Sequence, residues 1–264
     1  MTSVLEQLQE LQQSICDTNA PDASPEHTEK LYFLQSHGLF HIEFYGVPGE
    51  AAYTECLHVL CAADVAAQLC SITLRGPDEG ANGTRNWDLT AMVEAGTEFP
   101  HLKAFFVESM SPEHHNQSII GADYEEAGQI SHLLVKMPAI ESLTVPSAPD
   151  AGFFQRGTRP LSFLRVESGY DHQNFILNLG HSDCFPGLRM LDFGDFSQRY
   201  MDDYQQHCTP FNHYEQLFQS QAFTSVRGFN LRNSVLSADQ LARLRRLRPK
   251  VQFYVVQTYG EYIR

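Results

Sequence analysis

The chain carries twelve histidines and six cysteines, enough acid–base and nucleophilic groups to ask first whether they are spaced for catalysis. The densest grouping is His181-Ser182-Asp183-Cys184, which holds each residue type of a base-assisted nucleophile. Such groups converge on one substrate atom when the fold brings them from separated positions, and adjacency alone does not achieve this. An enzyme or enzyme accessory using the His181–Cys184 region therefore stands as an alternative reading. His114 and His115 are also adjacent, so their side chains diverge, and no His-Glu-x-x-His run sets two imidazoles one helical turn apart for zinc. Phosphate-cradling glycine loops and a Gly-x-Ser-x-Gly elbow are absent. The acidic runs Asp123–Glu126 and Asp202-Asp203 lack the spacing of a calcium loop. These residues lead to the expectation of a non-enzymatic protein with no catalytic residue, no metal site and no cofactor.

The elements that would position any site follow a different spacing. Leu188-x-x-Leu191-x-Phe193 places apolar residues at positions one, four and six, which neither a helical face nor simple alternation explains. The same hexad recurs as Leu69-x-x-Ile72-x-Leu74, Leu102-x-x-Phe105-x-Val107, Ile140-x-x-Leu143-x-Val145 and Leu161-x-x-Leu164-x-Val166. Two more copies are Val226-x-x-Phe229-x-Leu231 and Val251-x-x-Tyr254-x-Val256, and a weaker one is Leu39-x-x-Ile42-x-Phe44. Pro100, Pro138, Pro186 and Pro249 sit two residues before a copy and Pro160 immediately before another, where a missing N–H marks the entrance to a strand.

This pattern resembles the leucine-rich repeat, whose core reads Leu-x-x-Leu-x-Leu, and is most similar to the degenerate bacterial type with long, variable outer segments. The resemblance implies an α/β solenoid: a curved parallel sheet of about seven to eight short strands with helices on the convex face. On that expectation residues 1–38 form an N-terminal helical cap and loop, and residues 39–264 an irregular leucine-rich-repeat solenoid. The cap is signalled by Ser3-x-x-Glu6, a capping box, ahead of Val4, Leu8, Leu11 and Ile15 on one helical face. A second capping box, Ser237-x-x-Gln240, opens a helix late in the chain. Trp87 is expected to open a helix running from Asp88 to Glu98.

If positions one, four and six point inward, the residues between them project from the opposite face of the sheet. Those expected to bind a protein are Lys103, Phe106, Glu108, Glu141, Phe163, Arg165, Glu167, Arg189, Asp192, Asp195, Arg227 and Asn230. Isolated phenylalanines among mixed charges match the make-up of protein interfaces. Charge adds a partner class. The net charge is −14, with residues 1–160 at −15 and residues 161–264 at +1. Such a field repels nucleic acid and anionic membrane and speeds encounter with a basic protein. No run of apolar residues is long enough to span a bilayer, and no basic-then-apolar leader is seen. The cysteines, none in a Cys-x-x-Cys pair, read as free thiols of a cytoplasmic protein. Wider members of the family include acidic inhibitors of basic nucleases. The resemblance thus implies an acidic inhibitor or immunity-type protein that binds a basic toxin or enzyme, with a secreted repeat effector as a further alternative.

Overall fold

The computed structural model describes residues 2–78, 83–109, 111, 114–122, 124–197 and 203–257. Asp123 and Asp202 of the acidic runs and the end of the expected solenoid, 258–264, lie outside the described residues.

Helix α1 (Val4–Thr18) leads into a hairpin of β1 (Lys30–Ser36) and β2 (Leu39–Tyr45). Then come α2 (Ala51–Leu60), α3 (Ala63–Ala66), β3 (Leu69–Arg75), β4 (Thr84–Trp87), α4 (Thr90–Glu94) and β5 (Ala104–Val107). The middle of the chain forms β6 (Gln117–Ile120), α5 (Gln129–Lys136), β7 (Ser142–Val145), β8 (Phe163–Glu167) and α6 (Phe175–Gly180). The last elements are β9 (Met190–Gly194), α7 (Phe211–Gln219), β10 (Gly228–Arg232), α8 (Ala238–Leu247) and β11 (Gln252–Val256).

Nine strands make one sheet in the order β1-β2-β3-β5-β7-β8-β9-β10-β11, so spatial order follows chain order. Every pairing in it is parallel except β1 with β2. Strands β4 and β6 form a separate two-stranded parallel ribbon. The helices touch in the same sequence, α1 to α2, α2 to α4, α4 to α5, α6 to α7 and α7 to α8. One apolar core lies between this helical layer and the sheet.

Hexad periodicity places that core. In the six copies from Leu69 to Leu231, every side chain at positions one, four and six is at most 1% exposed. Burying each such side chain contributes about 1.5–3 kcal/mol. Helix α1 adds Val4, Leu8, Leu11 and Ile15 from its buried face. Its capping box is formed: Glu6 N–H donates to Ser3 Oγ at 3.2 Å, and Ser3 N–H to Glu6 Oε2 at 2.7 Å.

Several expectations need correction. The sheet has nine strands, not seven to eight, because β1 lies inside the segment assigned to cap and loop. Its run Leu31-Tyr-Phe-Leu34 pairs as a hairpin, which the hexad does not encode. At the far edge the hexad is out of step by one residue. Phe253 points inward, Tyr254 is 57% exposed and Val256 45% exposed. Val251–Val256 is apolar at all but one position, so alternation alone cannot set its register. Pairing sets it instead, with Phe253 opposite Phe229 and their rings stacked 5.2 Å apart. In the weak copy, Phe40 and not Leu39 is the buried first residue. Trp87 ends β4 and opens no helix; its indole is fully buried and donates to Ser118 Oγ at 3.0 Å.

Candidate interaction face

Alternation along each strand sends the residues between the inward positions to the side of the sheet away from the core, and the parallel register aligns them in rows. One row runs Glu43, Thr73, Phe106, Thr144, Arg165, Asp192, Asn230 and Tyr254 across neighbouring strands. A second contains Ser142, Phe163, Met190, Gly228 and Gln252. At the entrances to the strands lie Lys103, Glu141, Ser162, Arg189 and Arg227. Their backbones are linked by N–H···O=C bonds of 2.7–2.8 Å, each residue donating to the one before it.

Most of the expected residues lie along these rows. Lys103, Glu141, Arg189 and Arg227 are exposed, and Phe106, Glu108, Phe163, Arg165 and Asn230 are half-buried. Lys103 and Glu141 pair across strands at 3.0 Å. Glu108, just past β5, lies 3.3 Å from Arg75 Nε and 3.6 Å from the buried Arg85. Arg75 also reaches Glu43 at 3.4 Å.

Three residues depart from the expectation of a solvated acidic contact. Glu167 and Asp192 lie on the face but are buried, because Arg232 reaches across three strands to hold both. Its Nη1 is 2.6 Å from Glu167 Oε1 and its Nε 2.7 Å from Asp192 Oδ1, an arrangement that only a planar guanidinium can make. Together the two carboxylates hold the Arg232 charge well above its ordinary range, against the opposing effect of burial. Asn230 Nδ2 adds a bond to Asp192 Oδ2 at 3.3 Å, and Arg165 lies 3.5 Å from Glu167. A Cβ on Gly194 would lie 2.0 Å from Glu167 Oε2, so any side chain there must displace the clamped carboxylate. Asp195 leaves the face altogether. It is 2% exposed and accepts from Phe196 N–H at 3.0 Å, Thr209 N–H at 2.9 Å and the Tyr214 hydroxyl at 2.8 Å. Burial raises its carboxyl above the usual range, although those donors oppose the shift. Strand β9 ends at Gly194, and beyond that point alternation no longer says where a side chain points.

The residues of the rival catalytic reading face different partners. His181 Nε2 lies 3.3 Å from Gln216 Oε1, whereas Cys184 is buried with its thiol donating to the Phe154 carbonyl at 2.8 Å. His115 Nδ1 sits 2.5 Å from Asp78 Oδ2, while His114 Nδ1 lies 3.4 Å from Arg85 Nη2. Among the described residues no group of three His, Cys, Asp or Glu side chains is placed to hold a metal, and no helix is long and apolar enough to cross a membrane.

Arg232 is the residue whose importance the sequence hides. The hexad marks it only as one more outward position, and its signal is a lone arginine in register with Gly194 on β9, beyond which Glu167 on β8 occupies the same row. Searches of protein-family models, curated proteins and solved structures return no match to this chain.

Proposed function

We propose that this chain is a protein-binding leucine-rich-repeat solenoid whose uncovered sheet face docks a partner, and that it acts as an inhibitor or immunity-type protein against a basic toxin or enzyme. One observation carries the reading: strand order follows chain order, so the crossover helices stack in one layer against the core and, among the described residues, the rows of side chains on the other side of the sheet are covered by no helix. On it, half-buried Phe106 and Phe163 stand among exposed charges at Lys103, Glu141, Arg189 and Arg227. Solenoids commonly use such extended faces for binding, and apolar anchors ringed by charge match interface composition. The Arg232 clamp supports the reading by fixing β8, β9 and β10 before any partner arrives, which lowers the ordering cost of association. The net charge of −14, concentrated in residues 1–160, favours a basic partner in the cytoplasm.

The test is capture of the partner from the native host, followed by reconstitution from purified components. The double variant Phe106→Asp, Phe163→Asp should weaken that complex at least about 100-fold, the size expected when central anchors are lost. Equal affinity for the variant, or a partner that is acidic, refutes the proposal.

A further inference from the structure

A groove lies outside the carboxyl ends of β6, β7 and β8, on the edge of the molecule and not on the face of the sheet. Its volume is about 410 Å³, within the roughly 300–1,000 Å³ of small-ligand sites. Three successive connections form it: the segment after β6, the segment after β7 with Ser147 and Asp150, and the segment after β8 with Ser168, Tyr170 and Asp171.

Two features give the groove a chemical character. The first is aromatic. Tyr124 and Tyr170 meet edge to face with centroids 6.4 Å apart, yet remain 59% and 46% exposed. Tyr170 is held in place by its hydroxyl, 2.5 Å from Thr84 Oγ1 on β4, and Tyr124 sits at φ 70°. A positive φ is uncommon for a residue as large as tyrosine, and here it accompanies a ring that stays largely in solvent beside Tyr170. The second feature is charge. Glu125, Glu126, Asp150 and Asp171 line the groove, and none of the described lining residues is basic. Glu126 spends both oxygens on backbone donors, Gly128 N–H at 2.9 Å and Ile130 N–H at 2.6 Å, so it shapes the groove. Asp150 gives one oxygen to the Ser131 hydroxyl, and Asp171 gives one to Gln173 N–H at 2.7 Å. The second oxygen of each has no hydrogen-bond partner among the described residues.

We propose that this groove binds an organic cation, the guanidinium or ammonium head of arginine, lysine or a free amine, seated against Tyr124 and Tyr170 with Asp150 and Asp171 as counter-charges. A tyrosine face attracts a cation through its quadrupole, and carboxylates beside the head group supply charge-assisted hydrogen bonds. Neither Phe106 nor Phe163 lines the groove, so the proposal goes beyond the docking-face reading and stands without it.

Titration calorimetry on the full chain tests it with four probes: agmatine, cadaverine, a capped Gly-Arg-Gly peptide and the same peptide with citrulline in place of arginine. The cationic probes should bind with dissociation constants of about 0.1–10 mM, and the neutral citrulline peptide at least about 10-fold more weakly. The double variant Tyr124→Ala, Tyr170→Ala should lower cation affinity about 10-fold while a cooperative thermal transition is retained, the lost Tyr170–Thr84 hydrogen bond lowering its midpoint only slightly. Asp171→Asn provides an independent second variant, with a loss of about 3-fold or more. Agmatine binding as tightly as the arginine peptide identifies a free amine as the ligand; a peptide advantage of about 10-fold identifies an arginine on a polypeptide. Citrulline binding equal to arginine, cation affinity unchanged in both variants, or no binding at millimolar concentration overturns the proposal.

Discussion

Asp195 meets three donors, one from the next residue and two brought back by the later chain, Thr209 N–H and the Tyr214 hydroxyl, which converge on its Oδ2. Removing the carboxylate orphans buried donors at about 1–3 kcal/mol each. Asp195→Ala should therefore lower unfolding free energy in urea by several kcal/mol, and Tyr214→Phe by about 1 kcal/mol. Glu126 gives a pH signature. Burial and the charge of Asp150 push its carboxyl from 4.5 up to about 7, against the two backbone bonds it accepts. Between those values the folded chain keeps a proton that the unfolded chain releases, so stability falls as pH rises through the window and levels off above it. The loss should reach about 2–3 kcal/mol in denaturant titrations between pH 4.5 and 8, and Glu126→Gln should flatten it. Neither residue is legible as such in the sequence. The outward spacing assigns Asp195 to the binding face, and Glu126 reads as part of an acidic run whose calcium spacing is wrong.

Strand β11 shows how a register is decided at the level of an element. Its inward residue is Phe253, stacked on Phe229, while Tyr254 projects outward. Phe253→Ala should cost about 3 kcal/mol or more of stability, whereas Tyr254→Ala should stay within about 0.5 kcal/mol. The reverse ranking would restore the hexad beginning at Val251. Strands β8, β9 and β10 depend on Arg232 in a different way. With Arg232→Ala, Glu167 and Asp192 remain side by side, each little exposed, and the loss should be about 3–5 kcal/mol by urea denaturation. Arg232→Lys should recover only part of it, since an ammonium cannot fork between two carboxylates. The six central strands are legible because their apolar residues repeat with one phase and polar residues fall between. Strand β1 is not, since an apolar run in a hairpin carries no hexad, and the β4–β6 ribbon is too short to leave a periodic trace.

For the molecule as a whole, the sequence conveys the parallel, chain-ordered sheet but not its two boundaries, where the repeat loses phase. The asymmetric charge predicts kinetics: association with a basic partner should slow steeply as salt rises from about 10 mM to 150 mM, while dissociation changes little. Stopped-flow rates indifferent to salt would contradict charge-guided encounter. The strand order has a consequence for how the chain is made. Each parallel strand lies beside the one synthesised just before it in the same sheet, so a nascent chain emerging from the ribosome always finds its next neighbour already in place. Each addition then closes only the crossover from the strand before it and no distant contact is awaited, so assembly can advance stepwise with only the newest edge left unpaired.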